Sequence, residues 1–387
     1  MGEILQPRDA ADLAAIVLEG KPLAAVGAGT RSGLGHEVIG TPVSLAGFAG
    51  INDYQPEELV MTAGPGTSMA ALRNALDQAG QHLAFEIPDW GPLFGQAPGG
   101  GTLGGLFMTG NAGSRRISAG SARDHFLGFS GVNGKGEIFK AGGKVVKNVT
   151  GYDLPKLLAG SYGTLALLTE VTIKTLPRPE VSETLLIDPI DQSTAFSAMS
   201  LALGSAHEVS GSAFLPQGAA GAFDLDRSKV AIRLEGFEAS VKARCTALAS
   251  ELKGLGAIEA VPSGALWQDL SDAKPFATRP DLIVWRLSVA PMDGAEVLAA
   301  VGAHEVAWFD WGGGLLWLGL APGEADGGAQ RVRAAVAGKG HATLIRAPKK
   351  IRAAVPVFQP QDALAPLIHR IKASFDPLGI LNPGRMG

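Results

Sequence analysis

The chain reads as an α+β protein of two unequal parts, a glycine-rich ligand-binding half and a smaller α+β half built on an antiparallel sheet. Three observations predict this. Its 387 residues exceed what one ordinary hydrophobic core organises and suit two domains. Glycine-dense segments crowd the first 180 residues, interleaved with short helix and strand signals. Beyond about residue 181 those segments thin out, and apolar strand stretches alternate with amphipathic helical ones. The expected divisions are 1–180, 181–345 and a C-terminal segment 346–387.

In chain order, Asp9 is placed to cap a helix whose Leu13, Ile16 and Val17 share one face. Gly20 and Pro22 end it before a strand at 23–26. Short strands are expected at 43–45 and 59–63, and Ser68 then starts a helix carrying Met69, Leu72 and Leu76 until Gly80 stops it. The turn Asn133-Gly134-Lys135-Gly136 joins apolar segments 126–132 and 137–141 as a hairpin. A strand at 165–176 closes this half, and Pro177 and Pro179 mark the boundary. In the second half, strands are expected at 185–187, 230–234, 282–289 and 315–320, and helices at 241–252 and 294–301. Helices on one face of an antiparallel sheet follow from that pattern. The tail 363–375 is helical and ends in the turn Asp376-Pro377-Leu378-Gly379.

The bulk properties exclude several function classes. A formal net charge of -4, from 33 basic and 37 acidic side chains, provides no field to gather nucleic acid or an anionic membrane. Charged residues make up only 18%, which points to surface covered by partners. The single cysteine, Cys245, cannot build a disulfide framework or an iron-sulfur cluster within the chain. The N-terminus lacks the basic and apolar regions of an export signal, and no apolar run of about 18 residues follows. A cytoplasmic chain is expected, with any membrane association arising through partners.

The segment Gly27-Ala28-Gly29-Thr30-Arg31-Ser32-Gly33 follows a strand, but a Rossmann fingerprint would need glycine at Ser32 and a helix beyond, and neither is present. A phosphate-binding Walker loop fails too, for lack of the Gly-Lys-Ser/Thr run. What remains is a loop of small residues whose backbone N–H groups can point at a diphosphate. A second cluster runs from Gly99 to Gly113. Ordering so many glycines carries an entropic cost of about 0.5–1 kcal/mol each in regular structure, which makes sense where backbone approaches a ligand closely. Either loop alone reads equally well as a set of tight turns.

Five motifs in order change that balance: Gly27–Gly33, Thr62-Ala63-Gly64-Pro65-Gly66-Thr67, Gly101-Thr102-Leu103-Gly104-Gly105, the stretch from Lys147 to Leu157, and Gly160-Ser161-Tyr162-Gly163-Thr164-Leu165-Ala166. The series resembles the two-subdomain FAD-binding domain of the vanillyl-alcohol oxidase and p-cresol methylhydroxylase family. The closing Leu381-Asn382-Pro383-Gly384-Arg385-Met386 resembles that family's last motif. The resemblance implies that Gly27, Ala28, Gly29, Thr30, Arg31, Ser32 and Gly33 wrap the FAD diphosphate. It implies that Gly101, Thr102, Gly104, Gly105, Gly110, Asn111 and Gly113 lie along diphosphate and isoalloxazine. Leu165 and Leu167 become candidates for the adenine end. Asn382 and Arg385 would close over the flavin, so 346–387 is expected to return to the flavin domain. Arg31 departs from the small or apolar residues usual at its place, and its role is open between ligand contact and solvated surface. Cys245 and His36 are poorly placed for a covalent tether, so non-covalent FAD is expected.

Relatives of this kind that oxidise 2-hydroxy acids often hold a metal in a histidine-bearing segment of the second domain. Here Asp310-Trp311-Gly312-Gly313-Gly314-Leu315-Leu316-Trp317 stands in that place, and the seven histidines form no pair at helical spacing, so no metal is expected. Arg286, on a predicted strand that relatives use near the substrate, is the one catalytic-site candidate. The basic run Lys349, Lys350 and Arg352 reads as a solvated face. Trp308, Phe309, Trp311 and Trp317 read as core, or as interface anchors if exposed. Flavin motifs, a missing metal segment and a short second domain together resemble the smaller FAD subunits of bacterial glycolate oxidases. That likeness implies a larger FAD-binding subunit and an iron-sulfur subunit as partners and a small hydroxy acid as substrate. A self-sufficient flavin dehydrogenase and a flavin-stabilised structural subunit are the alternatives.

Overall fold

The computed structural model describes residues 4–144 and 151–387, so the 147–150 part of the fourth motif lies outside the described residues. The first helix, Ala10–Leu18, starts where the Asp9 carboxylate accepts a hydrogen bond from the Asp12 N–H, and it buries Leu13, Ala14 and Val17. Such a cap is worth about 1 kcal/mol. The buried stripe packs with Leu23, Val43, Ile380 and Leu381 around a two-stranded parallel sheet of Leu23–Val26 and Thr41–Ser44. The C-terminal tail joins this layer directly: Leu23 N–H donates to Ile380 O at 2.8 Å, and Asn382 N–H donates to Leu23 O at 2.9 Å.

A five-stranded antiparallel sheet lies beside it, in the order Ile51–Gln55, Val60–Ala63, Ala166–Lys174, Phe126–Asn133 and Ile138–Gly142. Helices Met69–Gln78 and Leu103–Thr109, capped by the Ser68 and Thr102 hydroxyls, bury Leu72, Leu76, Leu103, Leu106 and Phe107 against it.

From Val181 to Arg346 the chain forms an eight-stranded antiparallel sheet. Its order is Gly256–Pro262, Val181–Pro189, Lys229–Gly236, Gly211–Leu215, Val306–Asp310, Leu315–Leu320, Ile283–Val289 and Gly340–Arg346. Side chains alternate as the strand period requires: Leu316, Leu318 and Leu320 face one way, Leu315 and Trp317 the other. The first face is covered by helices Gln192–Gly204, Glu238–Glu251, Gly294–Val301 and Ala329–Val336. The second carries Trp308, Trp311 and Trp317 and packs against Leu34, Trp90 and Leu93 of the first half.

This double coverage accounts for two sequence observations. Gly211–Leu215 is buried at all five positions, so it shows none of the alternation that marks a half-exposed strand, and it was not anticipated. Gly256–Pro262 and Ile51–Gln55 escaped for the opposite reason, being edge strands with no buried position. The low charge content also has an internal explanation, since the largest sheet is covered on both faces within the chain. Among the described residues no helix is long and apolar enough to cross a membrane.

Candidate cofactor and substrate site

The strand Leu23–Val26 delivers the chain into Gly27–Gly33, which forms one wall of an open cleft of about 920 Å³. Thr102, Gly104 and Gly105 at the start of the Leu103–Thr109 helix form another, and Tyr162, Leu167, Asn382 and Arg385 complete it. The two glycine loops touch, because a Cβ added at Gly27 would stand 2.6 Å from Thr102 Oγ1. Gly29 has φ +75°, and a Cβ there would meet no protein atom within 4 Å. This is a backbone conformation that favours glycine, beside open space.

Of the residues assigned to the cofactor, Gly27, Ala28, Gly29, Thr30, Arg31, Ser32, Gly33, Thr102, Gly104, Gly105, Leu167, Asn382 and Arg385 all line this one cleft. Gly101, Gly110, Asn111, Gly113 and Leu165 are not part of its wall and have local structural partners instead. Gly101 O accepts from Met69 N–H at 3.0 Å, and Gly110 caps the Leu103–Thr109 helix at φ +64°. Asn111 Nδ2 donates to Thr109 Oγ1 at 3.1 Å, Gly113 O accepts from Trp311 Nε1 at 3.0 Å, and Leu165 is buried in the core of the five-stranded sheet.

The cleft wall is cationic in a chain of net negative charge. Arg31 is only 7% exposed; its Nη2 donates to Pro88 O at 2.7 Å while its Nε has no partner, and burial pushes its pKa down to about 10. Arg352 leaves Nε and Nη2 without partners, and Arg385 Nη2 donates to Arg31 O at 3.0 Å. Lys349 pairs with Glu37 at 2.8 Å. Lys349 stands at the rim of the cleft with its side chain 86% exposed, as a solvated face requires, whereas Arg352 is half-buried in the cleft wall. Their three-residue spacing on the helix Lys349–Ala354 is the signal that would have aligned them. Asn382 ties the wall together, accepting from Ala25 N–H and donating to Tyr162 O, both at 2.8 Å.

These features fit a dinucleotide. The volume is near the top of the roughly 300–1,000 Å³ range of small-molecule sites. Unpartnered guanidinium nitrogens beside a glycine loop are donors for a diphosphate. Cys245 packs in the helical layer on the face of the eight-stranded sheet opposite the tryptophan cluster, while His36 does line the cleft.

Arg286 lies on Ile283–Val289 outside the cleft wall, with its guanidinium over the rings of Trp311 and Trp317 at 4.9 and 5.8 Å. Trp308, Phe309, Trp311 and Trp317 are all buried. The seam between the halves is laced by charge. Glu86 accepts from Arg115 N–H at 2.7 Å and pairs with Arg233. Arg115 Nε donates to Glu235 at 2.8 Å, and Ser114 Oγ donates to Asp310 at 2.6 Å. The Arg115 and Arg233 guanidiniums hold the Glu235 carboxyl down at about 2, against the opposing effect of burial. Burial alone dominates at Asp310 and raises it to about 7.

Residues 3–142 match a family described as an FAD binding domain. The chain is 37% identical over 367 residues to glycolate oxidase subunit GlcE of Escherichia coli, covering 94% of this chain and 92% of that protein. Glycolate oxidase subunit GlcD of Bacillus subtilis is 35% identical over 35% of this chain and 27% of its own length. A D-lactate dehydrogenase of Anaerostipes hadrus is 34% identical over 41% of this chain and 32% of its own. Among solved structures, 4-ethylphenol oxidase from Gulosibacter chungangensis superposes with TM-score 0.70 at 14% identity, covering 99% of this chain and 88% of that one. An alkyldihydroxyacetonephosphate synthase does so with TM-score 0.69 at 16% identity, covering 98% and 75%. Those two establish the fold alone, an α+β architecture shared over nearly the whole of this chain. The near full-length match to a glycolate oxidase subunit, on a chain carrying an FAD binding domain, means that this protein belongs to the FAD-linked oxidoreductase family that includes glycolate oxidase subunit GlcE.

Proposed function

We propose that this chain is the FAD-binding subunit of a glycolate (2-hydroxyacid) oxidase or dehydrogenase complex that converts glycolate to glyoxylate and passes electrons to an iron-sulfur partner. The observation that carries the reading is the alignment with a glycolate oxidase subunit over 94% of this chain and 92% of that one. The cationic, glycine-lined cleft agrees with it. Bound FAD would supply the two-electron acceptor. The residues of this chain do the rest: Gly27–Gly33, with Arg385, would hold the diphosphate, and Asn382 keeps the cleft wall in register. A larger flavin subunit is the second expected partner, and the single cysteine of this sequence, Cys245, is too few to ligate a cluster here. In this reading the assembly is cytoplasmic and reaches a membrane only through partners. FAD is bound without a covalent tether.

The test is an absorbance spectrum of the purified chain, then anaerobic glycolate, alone and with the co-expressed partner subunits. FAD released by acid, with bleaching only in the complex, is the expected result. Bleaching of the isolated chain would make it a self-sufficient dehydrogenase. Flavin that never bleaches in a turning-over complex would make it a structural subunit, and no flavin after reconstitution would overturn the reading entirely.

A further inference from the structure

We infer that the Tyr162 phenol donates a hydrogen bond to the isoalloxazine ring of FAD, at a point of the cleft wall well separated from the Gly27–Gly33 loop. The contact depends on the proposed placement of the FAD diphosphate at that loop, and not on the identity of the substrate.

Tyr162 lines the cleft together with Met108, Thr109 and Gly163. The helix Leu103–Thr109 sets its place along the wall. Thr102 caps one end of that helix and meets Gly27 of the first loop, whereas Met108 O near the other end accepts from Tyr162 N–H at 2.8 Å. Six residues of α-helix separate the two contacts by about 9 Å. From the closing motif, Asn382 Nδ2 donates to Tyr162 O at 2.8 Å. The backbone between these anchors is left-handed, with φ +79° at Gly160, +55° at Tyr162 and +68° at Gly163. Glycine adopts that conformation freely. A bulky aromatic residue adopts it only where its surroundings over-determine it, and such positions gather at ligand sites.

The side chain is placed to donate. Its ring meets Phe358 edge-on, with centroids 5.2 Å apart and planes at 69°, and packs against the tryptophan-bearing cluster of the eight-stranded sheet. Those contacts restrict the directions the phenol can take. The hydroxyl has no hydrogen-bond partner among the described residues, and it is not sealed in the core but opens on the cleft. The charged groups facing it are the guanidiniums of Arg286, Arg385 and Arg31. Burial pushes the phenol up to about 12, against the opposing effect of those three cations, so the group keeps its proton across the neutral range and acts as a donor. A neutral donor in an aromatic pocket suits an uncharged acceptor on a flat ring, which the carbonyl and nitrogen edges of an isoalloxazine supply. Phosphate oxygens are better served by guanidiniums and backbone N–H groups, and those stand at the other end of the helix.

The experiment titrates the full chain, freed of flavin, with FAD, riboflavin and ADP by calorimetry, and records the visible absorption of the bound flavin. It compares wild type with Tyr162→Phe, which keeps the ring against Phe358 and deletes only the hydroxyl. FAD and riboflavin are expected to bind about 3- to 10-fold more weakly, as the loss of one neutral hydrogen bond implies, and ADP to bind as it does to wild type. The flavin bands are expected to shift, because a bond to the ring alters its spectrum and a purely structural role does not. Unchanged riboflavin affinity or unchanged bands in the variant would overturn the contact while leaving the proposed function standing. Equal weakening of FAD and ADP would put the phenol at the diphosphate and overturn it as well. A wild type that binds neither FAD nor riboflavin would overturn the contact and the proposed function together. If Tyr162→Phe is insoluble, Tyr162→Gly, which suits φ +55° without strain, takes its place: wild-type riboflavin affinity and bands in that variant overturn the contact.

Discussion

Replacing Arg31 by methionine separates a ligand-binding arginine from a structural one, because the two predict opposite balances between apoprotein and holoprotein. The guanidinium is almost fully buried and burial pushes its pKa down to about 10, which corresponds to roughly 3 kcal/mol of destabilisation of the charged form. Methionine removes that cost and keeps much of the apolar stem. It also removes the donor to Pro88 O, a buried acceptor whose loss costs about 1–3 kcal/mol. The two terms oppose, so the melting temperature of the apoprotein should move by no more than a few degrees. The holoprotein loses more, since charge-assisted bonds to a diphosphate contribute about 1.5–3 kcal/mol. The dissociation constant for FAD should therefore rise between about 10- and 150-fold. Thermal melts of apoprotein and FAD titrations followed by flavin fluorescence measure both quantities, with riboflavin, which has no phosphate, as the control. An apoprotein several kcal/mol less stable with unchanged FAD affinity would refute the argument, as would equal losses for FAD and riboflavin.

Three further outcomes are expected. Gly29→Val, at φ +75° beside open cleft, should cost about 1–2 kcal/mol in backbone strain yet leave a folded chain that no longer takes up FAD; normal flavin content in soluble mutant would remove this loop from the site. Glu86→Gln leaves the buried Arg233 without its full counter-charge and should lower stability by about 3–5 kcal/mol in urea melts, whereas a loss under 1 kcal/mol would make the seam network expendable. Asp310 titrates near 7 in the folded chain and near 3.8 when unfolded, so the native state holds a proton that the unfolded chain releases. Its contribution to stability is therefore present below about pH 4, declines as pH rises toward about 7, and is lost above. Asp310→Asn should flatten the decline between pH 5 and 7 by up to about 1 kcal/mol per pH unit. Asp272, raised to about 6 by burial, keeps a residual slope of the same sign, and an unchanged slope in the variant would contradict the assignment to Asp310.

What could be read from sequence was whatever had a local cause. The helix capped by Asp9, the strand Leu23–Val26 and the helix after Ser68 are encoded by caps, breakers and side-chain period within ten residues, and they stand where those signals put them. The strand Gly211–Leu215 is defined by coverage on two faces that no local pattern records. The same division runs through the site. Gly27–Gly33 announces itself by its density of glycine and other small residues around Arg31, whereas Tyr162, Lys349 and Arg352 reach the cleft only through the fold. Arg286 shows the difference most sharply. On its own strand it is one cation among hydrophobic neighbours, and its chemistry depends on Arg116, 170 positions earlier, and on Trp311, which ordinary packing rules assign to the core. Ordinary packing is also where Trp311 ends, at 9% exposure, but on a left-handed backbone that packing alone gives no reason to adopt. The turn is held by long-range contacts, the Trp311 N–H on Asp310 and its Nε1 on Gly113 O, and these are what the local sequence cannot record.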